Sequence, residues 1–321
     1  MRDEPAGVSV ADLVAALDAG WGIRARDVRH LPVGAGGYHW SVDGRWFLTV
    51  VSQPVERPLR TALALHRDAG LDFVLAPVPT TAGEMQRPLP GGWLLSVFPL
   101  VDGVAGDFGP FPDDAARESI VDLLVALHGA TPAVLDIAPP ATPALPGRAG
   151  LADAIRELDR PWTTGPYAED ARSLLAAHAG EVESRLAALE NLGARLDRSG
   201  WVVTHGEPHP GNILTTAEGP LLIDWDTVRI APPERDLWLL TATPFEPSPT
   251  DEDKAMQRYA AATGRPVSAS AVAFYRETWI LADIAAYLDD LRRPHSTGGD
   301  AADALEYLAA NLSTEPPALP V

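Results

Sequence analysis

The sequence predicts an α+β fold in two lobes, with a small antiparallel sheet in the first lobe and mainly helices in the second. At 321 residues, the chain is longer than most single compact domains. Residues 28–51 contain short β-like runs separated by glycine-rich turns. Beyond residue 101, longer stretches with helical spacing of apolar residues dominate. We therefore predict lobes over residues 1–100 and 101–321.

The first lobe begins with a helix after Ser9, which has the N-cap chemistry of a capping box with Asp12. Apolar spacing predicts that this helix ends near Gly20. The dipeptide Asp43-Gly44 between two β-like runs is a strong hairpin signal. We predict strands over 28–33, 38–42, 45–51 and 93–100, and a helix over 59–69.

The second lobe is predicted to be helical around one short β-rich segment. Residues 201–203 and 221–223 read as buried strands that flank a loop. The stretch 132–150 is rich in proline, alanine and glycine and reads as a loop, while the proline-rich tail 315–321 is expected to fray. Helices are predicted over 113–128, 169–196, 251–263, 269–293 and 301–312.

The composition excludes several classes of site. The chain has no cysteine, which excludes disulfides, thiolate chemistry and cysteine-based zinc sites. Acidic residues interrupt the first twenty positions, and no stretch is long and apolar enough to span a membrane. We therefore expect a cytoplasmic protein without a membrane partner, either a monomer or a homodimer.

The net charge of −19 is distributed unevenly. Residues 1–100 hold 10 acidic and 9 basic side chains, whereas the remainder holds 34 and 16. An acidic surface repels phosphate, so nucleic acid is not expected as a partner. The acidity is compatible with a cationic substrate bound by the second lobe. A solvated acidic surface that serves solubility is the alternative.

Between the two short strands lies the segment His205-Gly206-Glu207-Pro208-His209-Pro210-Gly211-Asn212, and Asp224 follows twelve residues later. Phosphoryl transfer needs a carboxylate near the attacking hydroxyl, together with amide and carboxylate oxygens for Mg²⁺. Glu207 and Asn212 are five residues apart, the spacing of the base and the metal-binding asparagine in kinase catalytic loops. A strand–loop–strand segment can present all three side chains on one rim.

This pattern resembles the aminoglycoside phosphotransferase family, within the protein-kinase-like fold that also contains choline and homoserine kinases. The family signature is His-Gly-Asp-x-x-x-x-Asn, followed by a hydrophobic residue, Ile-Asp and Trp or Phe. The sequence matches it at six positions: His205, Gly206, Asn212, Ile223, Asp224 and Trp225. The segment Pro233–Leu237 also resembles an acidic segment of the family.

The resemblance implies a site for each component of the reaction. Glu207 would act as base, His205 would support its loop, and Asn212 and Asp224 would bind Mg²⁺. ATP or GTP would be the donor in the first lobe. Its phosphates would lie under the glycine loop (Gly34, Gly36 and Gly37), and its base would meet the main chain of a hinge over 98–102, including Phe98 and Leu100.

Two positions depart from the family pattern. Glu207 stands where the family has aspartate, and the extra methylene moves the carboxylate oxygens. Thr49 stands where a third-strand lysine would bind the α- and β-phosphates, and the predicted helix 59–69 lacks the partner glutamate. Thr49 is still predicted to lie in the nucleotide-binding site. Candidates to replace the lysine charge are Arg60, Arg57, Arg67 and His39, with Arg60 taken as a nucleotide-binding residue.

The acceptor is predicted to be an antibiotic with free hydroxyls, of the aminoglycoside or aminocyclitol type or of the nucleoside type. Asp226, Asp283 and Tyr287 are candidate substrate residues, although a solvated helix face would also explain Asp283 and Tyr287. Two alternatives stay open at this point. One is a metabolic kinase for a sugar or amino alcohol, and the other is a catalytically inactive kinase-like binding module.

Overall fold

A computed structural model of the chain describes residues 5, 7–34, 36–241 and 253–314. Contacts divide the chain into two compact units. Unit 1 comprises residues 1–111, 122–140 and 202–231, and unit 2 comprises residues 112–121, 141–201 and 232–321. The predicted lobe boundary at residue 100 stays a prediction.

Unit 1 contains a five-stranded antiparallel sheet. Its strands are β1 (Val28–Leu31), β2 (Tyr38–Val42), β3 (Trp46–Val51), β4 (Arg87–Pro88) and β5 (Leu94–Pro99). They lie in the order β1-β2-β3-β5-β4. The Asp43-Gly44 turn joins β2 to β3, and both residues have positive φ angles, as the predicted hairpin requires.

One face of this sheet packs against helix α1 (Val10–Trp21). Ser9 caps the helix, since its side chain accepts the Asp12 N–H and its own N–H donates to the Asp12 carboxylate. The core between the helix and the sheet includes Leu13, Leu17, Trp40, Leu48 and Val97. Side chains of a strand alternate between the two faces of the sheet, so the strand residues between these core positions lie on the opposite face.

Two smaller sheets in unit 1 carry the predicted catalytic segment. β7 (Val202–Thr204) pairs with β10 (Arg229–Ala231), and β8 (Ile213–Thr216) pairs with both β6 (Val104–Ala105) and β9 (Gly219–Leu222). The predicted strands at 201–203 and 221–223 therefore belong to different sheets. β6, β8 and β10 were not predicted.

Unit 2 is built from helices around one core. Helices α5 (Arg148–Arg156), α6 (Ala168–Ala194), α9 (Ala269–Arg292) and α10 (Gly299–Leu312) supply it. The short α7 (Glu234–Leu237) follows Pro233 in the predicted acidic segment, and the Glu234 carboxylate accepts the N–H of Ser268 at 2.8 Å. α8 spans Lys254–Thr263, and residues 251–252 of the predicted helix lie outside the described residues.

The remaining helices are α2 (Glu56–Arg67), α3 (Asp114–Gly129) and α4 (Thr131–Val134). Two predictions need correction here. The stretch 132–150 is not all loop, because it contains most of α4 and the start of α5. α2 begins at Glu56, three residues before the predicted start, because Pro58 is tolerated in the first helical turn. The predicted tail at 315–321 lies outside the described residues.

Across the part of the chain that the structure describes, no helix combines the length and apolar character needed to cross a membrane. The predicted fold class, α+β with an antiparallel sheet followed by helices, is confirmed.

Candidate active site

The predicted catalytic loop starts directly after β7. Gly206 has a φ of 105°, a backbone conformation that only glycine adopts readily. A side chain at Gly206 would therefore strain the turn that carries Glu207.

His205 connects this loop to the strand segment before Asp224. Its ring is fully buried, Nδ1 accepts the N–H of Glu207 at 3.2 Å, and Nε2 donates to the carbonyl of Ile223 at 2.8 Å. One nitrogen accepts and the other donates, so the hydrogen-bond pattern defines a neutral ring with its proton on Nε2. His205 thereby fixes the main chain at Glu207 and at the residue before Asp224.

Asn212 is oriented by the same loop. Its Nδ2 lies 3.0 Å from the carbonyl of Glu207 and 3.2 Å from Nε2 of His209. The main-chain carbonyl oxygen of Asn212 accepts the N–H of Ile223 at 3.0 Å. Because the amide nitrogen faces the loop, the side-chain oxygen is the atom of Asn212 that can bind a cation.

Asp224 has a strained backbone. Its φ is 63°, in the left-handed region that non-glycine residues rarely adopt. Strain of this kind persists where the surrounding structure enforces it and is concentrated at functional sites.

The carboxylates of Asp224, Asp226 and Glu207 form an acidic cluster. Burial raises the pKa of Asp224 well above its ordinary value, and the negative charges of Asp226 and Glu207 raise it further. Carboxylate oxygens such as these, and the side-chain oxygen of Asn212, are the kind of ligand that a hard divalent cation prefers. Among the described residues, no group of three or more His, Asp or Glu side chains is arranged to hold a metal.

Two threonines outside the predicted site residues stabilise the start of the loop and the strand before it. Thr227 donates its hydroxyl to the carbonyl of His205 at 2.8 Å. The hydroxyl of Thr131 accepts the N–H of Val203 at 2.9 Å. No sequence signal distinguishes them from other threonines, because their contacts span 22 and 72 residues.

Two glycines after the predicted hinge allow the chain to approach the catalytic segment closely. A Cβ on Gly103 would lie 2.9 Å from the carbonyl oxygen of Thr215. A Cβ on Gly106 would lie 2.9 Å from Cβ of Pro210 and 3.1 Å from its carbonyl oxygen. Pro210 starts the 3₁₀ turn that ends at Asn212.

The Gly106→Ala variant is expected to lose about 1–3 kcal/mol of stability because its methyl group overpacks the turn. Displacement of the turn moves Asn212, so we also expect a lower kcat. Thermal unfolding and steady-state kinetics measure both effects. Gly129→Ala is the matched control, since a Cβ at that position meets nothing within 4 Å. A Gly106→Ala protein with the stability and kcat of the control would contradict this role.

The predicted glycine loop precedes β2. Gly34 and Gly36 have φ angles of 69° and 80°, and Ala35 lies outside the described residues. Thr49 lies on β3 directly opposite His39 of β2. The glycine loop and Thr49 therefore lie at the same end of the β2–β3 pair.

The hinge residues make internal contacts. Phe98 is 9% exposed and packs with Leu59 and Met85. The N–H of Leu100 donates to the carbonyl of Arg45 at 2.8 Å. A nucleotide base would therefore use main-chain groups of the hinge other than this N–H.

Arg60 lies on α2 and pairs with Glu56, and its Nη2 also donates to the carbonyl of Gly83 at 3.2 Å. The expectation that this helix lacks a glutamate is wrong, because the helix begins at Glu56. The Glu56 carboxylate, however, accepts the N–H groups of Met85 and Gln86, at 2.9 and 3.2 Å. Glu56 thus stabilises the chain before β4.

Asp283 and Tyr287 lie one turn apart on α9 of unit 2. Burial raises the pKa of Asp283 to about 6, although a hydrogen bond from the Trp279 side chain opposes this shift. Burial and the charge of Asp283 also raise the pKa of Tyr287. Asp283 is therefore a partly desolvated carboxylate, not a fully solvated one.

One cavity lies in each unit, and the cavity in unit 1 is lined in part by Pro99 and Val101 of the predicted hinge. The one in unit 2, of about 400 Å³, is lined by Trp162 and the ion pairs Arg292–Glu157 and Arg293–Asp289. The other, in unit 1, is of about 340 Å³ and is lined mainly by apolar side chains. Neither contains a predicted catalytic residue, so we assign the site from side-chain chemistry.

Comparison with known proteins decides the family. Residues 28–269 match the model of the phosphotransferase enzyme family, APH, over most of the chain. The chain belongs to this family. The predicted resemblance is thus confirmed, and so is the prediction of a phosphotransferase with an alcohol group as acceptor.

Relatives of this APH-family chain include protein StrN of Streptomyces griseus, which is 28% identical over 258 residues. That match covers 74% of this chain and 70% of StrN. A spectinomycin phosphotransferase, solved with ADP and spectinomycin, superposes with a TM-score of 0.73 at 17% identity, covering 94% of each chain. The GDP and kanamycin complex of APH(2″) gives a TM-score of 0.58 at 14% identity, covering 93% of this chain and 97% of that one. At these identities the structures show a shared kinase-like fold.

Proposed function

We propose that this APH-family kinase transfers the γ-phosphoryl group of ATP or GTP to a hydroxyl of an amine-bearing antibiotic of the aminoglycoside or aminocyclitol type. The observation that carries the acceptor class is the partly desolvated carboxylate of Asp283. The complexes of the related folds with ADP and spectinomycin, and with GDP and kanamycin, support the same donor and acceptor classes.

In the proposed mechanism, Glu207 accepts the proton of the acceptor hydroxyl. The hydroxyl oxygen forms a bond to the γ-phosphorus as the bond to the β-phosphate oxygen breaks, so the nucleoside diphosphate leaves with the bonding electron pair. Asn212 and Asp224 would hold Mg²⁺, with Asp226 nearby. A magnesium ion held there would neutralise charge on the phosphates. His205 fixes the main chain at Glu207 and beside Asp224 through its two hydrogen bonds.

Asp283 is proposed to bind an ammonium group of the acceptor. A partly buried carboxylate costs stability when it is ionised, unless a cation compensates for it. A bound ammonium group would provide that compensation, and Tyr287 lies close enough on α9 to form the same surface. This explains why a carboxylate is present where a neutral side chain would be more stable.

The Asp283→Asn variant is expected to be more stable than the wild type at pH 8, and no more stable at pH 4. The folded-state pKa is about 6, above the ordinary value of 3.8, so the penalty for ionisation is full above pH 6 and absent below about pH 3.8. The difference corresponds to about 2–3 kcal/mol at most. Thermal unfolding at both pH values measures it, and equal stability of the two proteins at pH 8 would contradict the buried charge.

The acceptor class is tested with pairs of acceptors that differ only by an amino group or a hydroxyl group at one position. With ATP or GTP, we expect product from the amine-bearing members, and a loss of about 10- to 100-fold in kcat/KM for them in Asp283→Asn. Asp300→Asn, on an exposed position of α10, is the control. Turnover confined to neutral nucleosides, sugars or simple amino alcohols would instead support the nucleoside-antibiotic or metabolic-kinase alternatives.

We further propose that phosphorylation inactivates the antibiotic, so that expression in a sensitive host raises the inhibitory concentration of the same acceptors. The Asp224→Asn variant should confer no protection. Protection by that variant would indicate sequestration by a binding module.

A further inference from the structure

Position 49 holds threonine in place of a lysine, so another side chain must supply a hydrogen-bond donor to the nucleotide phosphates. Two of the candidate arginines have other partners. Arg57 donates through Nε and Nη2 to the carbonyl of Ile137, at 3.2 and 3.0 Å. Arg67 is paired with the adjacent Asp68 at 2.7 Å. Together with Arg60, which pairs with Glu56, all three arginines are engaged elsewhere.

His39 lies in direct register with Thr49 across the β2–β3 pair. Its Nδ1 is 3.3 Å from Oγ1 of Thr49. Its ring also stacks on Phe47, with centroids 5.0 Å apart and planes inclined by 27°. Phe47, Thr49 and His39 therefore share the sheet face opposite the one that packs against α1.

The other edge of the His39 ring lies against the glycine loop. A Cβ on Gly34 would lie 3.2 Å from Nε2 of His39, and one on Gly37 would lie 3.5 Å from the same atom. These two glycines leave room for the ring because they have no side chain. The Nε2 edge is thus directed at the loop whose main-chain amides are suited to bind phosphate.

We propose that His39, oriented by Thr49, binds the polyphosphate of the nucleotide in place of the lysine. The inference rests on the proposed nucleotide donor. In this arrangement Nε2–H of His39 donates to a phosphate oxygen beneath the loop. The Thr49 hydroxyl donates to Nδ1 on the other side of the ring. A histidine fixed between a strand and a loop supplies a directional donor without a long flexible side chain.

The environment of the ring supports a donor that responds to its ligand. Burial lowers the pKa of His39 to about 4, although a main-chain hydrogen bond at Leu48 opposes the shift, so the ring is neutral at neutral pH and carries a single N–H. Negative charge placed beside the ring favours the protonated form. The phosphate would therefore strengthen its own contact with His39.

The test compares full-length variants by the KM of the triphosphate, ATP or GTP, and by the inhibition constant of the corresponding unphosphorylated nucleoside. His39→Ala should weaken the triphosphate by about 10- to 100-fold, the range for a hydrogen bond to a charged group. The same variant should change the inhibition constant of the nucleoside by less than about twofold. His178→Ala, which removes a histidine of α6 in unit 2, is the control and should change neither constant.

A second variant separates phosphate binding from a structural role. Positions 39 and 49 are direct cross-strand neighbours, so a lysine at 49 can reach the space left by the imidazole. We expect the double variant His39→Ala/Thr49→Lys to recover most of the lost triphosphate affinity. Thr49→Val, which keeps the shape of the side chain and removes Oγ1, should weaken the triphosphate by a smaller factor and serves if His39→Ala does not fold.

Three results would overturn the proposal. The first is a triphosphate KM in folded His39→Ala or Thr49→Val equal to that of the wild type. The second is an equal loss for triphosphate and nucleoside, which would indicate a general disturbance of the site. The third is a wild-type protein that uses neither ATP nor GTP, and this result alone would also remove the proposed function.

Discussion

The Asp224→Asn variant is expected to lose phosphoryl transfer and to unfold at a higher temperature than the wild type. A loss of roughly 10²–10³-fold or more is typical when a group that stabilises charge in the transition state is removed. The stability gain follows because burial and the charges of Asp226 and Glu207 all disfavour the ionised Asp224 in the folded protein. Activity and stability should therefore change in opposite directions.

Single-turnover transfer and thermal unfolding without added metal measure the two effects. Asp72→Asn is the matched control, because it removes an exposed aspartate of unit 1 outside the acidic cluster. If Asp224→Asn kept its activity, the assignment of the metal-binding carboxylate would fail. If it unfolded at a lower temperature, the unfavourable charge cluster would not exist as described.

Replacing Glu207 should reduce kcat strongly, whether by glutamine or by aspartate. Glu207→Gln removes the proton acceptor, and general bases typically contribute 10²–10⁴-fold. Glu207→Asp keeps the carboxylate but withdraws it by one methylene. The main chain cannot follow, because the N–H of Glu207 is held by His205 and its carbonyl by Asn212. A misplacement of about 1 Å can cost about 10²-fold.

Steady-state kinetics with nucleotide and acceptor varied in turn measure this effect. We expect kcat to fall in both variants while the KM of the nucleotide stays near the wild-type value. Glu218→Gln, at an exposed turn between β8 and β9, controls for the loss of a surface glutamate. A Glu207→Asp enzyme as active as the wild type would show that the loop adapts to the shorter side chain, and would contradict the fixed geometry.

The local geometry of the candidate catalytic segment could be predicted from the sequence because its residues are close in the chain. Glu207 and Asn212 are linked by a side-chain hydrogen bond within one loop, so their spacing alone carries the information. Asp224 follows after a single β-hairpin, β8–β9. The helices of unit 2 were also predictable, because long helices such as α6 and α9 repeat the apolar pattern over many turns.

Other features depend on contacts that the sequence does not display. β6 and β10 have two and three residues, too few for a periodic pattern, and form only because β8 and β7 lie beside them. The choice of His39 among the four residues that could replace the lysine required the β2–β3 register. The role of Gly106 required the position of Pro210, a contact across more than a hundred residues.

We propose that the acidic cluster of Glu207, Asp224 and Asp226 supports transfer of the γ-phosphoryl group of a nucleotide to a hydroxyl of an amine-bearing antibiotic. The most direct measurement mixes the purified protein with Mg²⁺, γ-labelled ATP or GTP and an aminocyclitol or aminoglycoside, and follows the label into the acceptor. We predict label on the acceptor with the wild type and none with Asp224→Asn. Transfer that persists in Asp224→Asn, or its absence with every amine-bearing acceptor, would contradict the account.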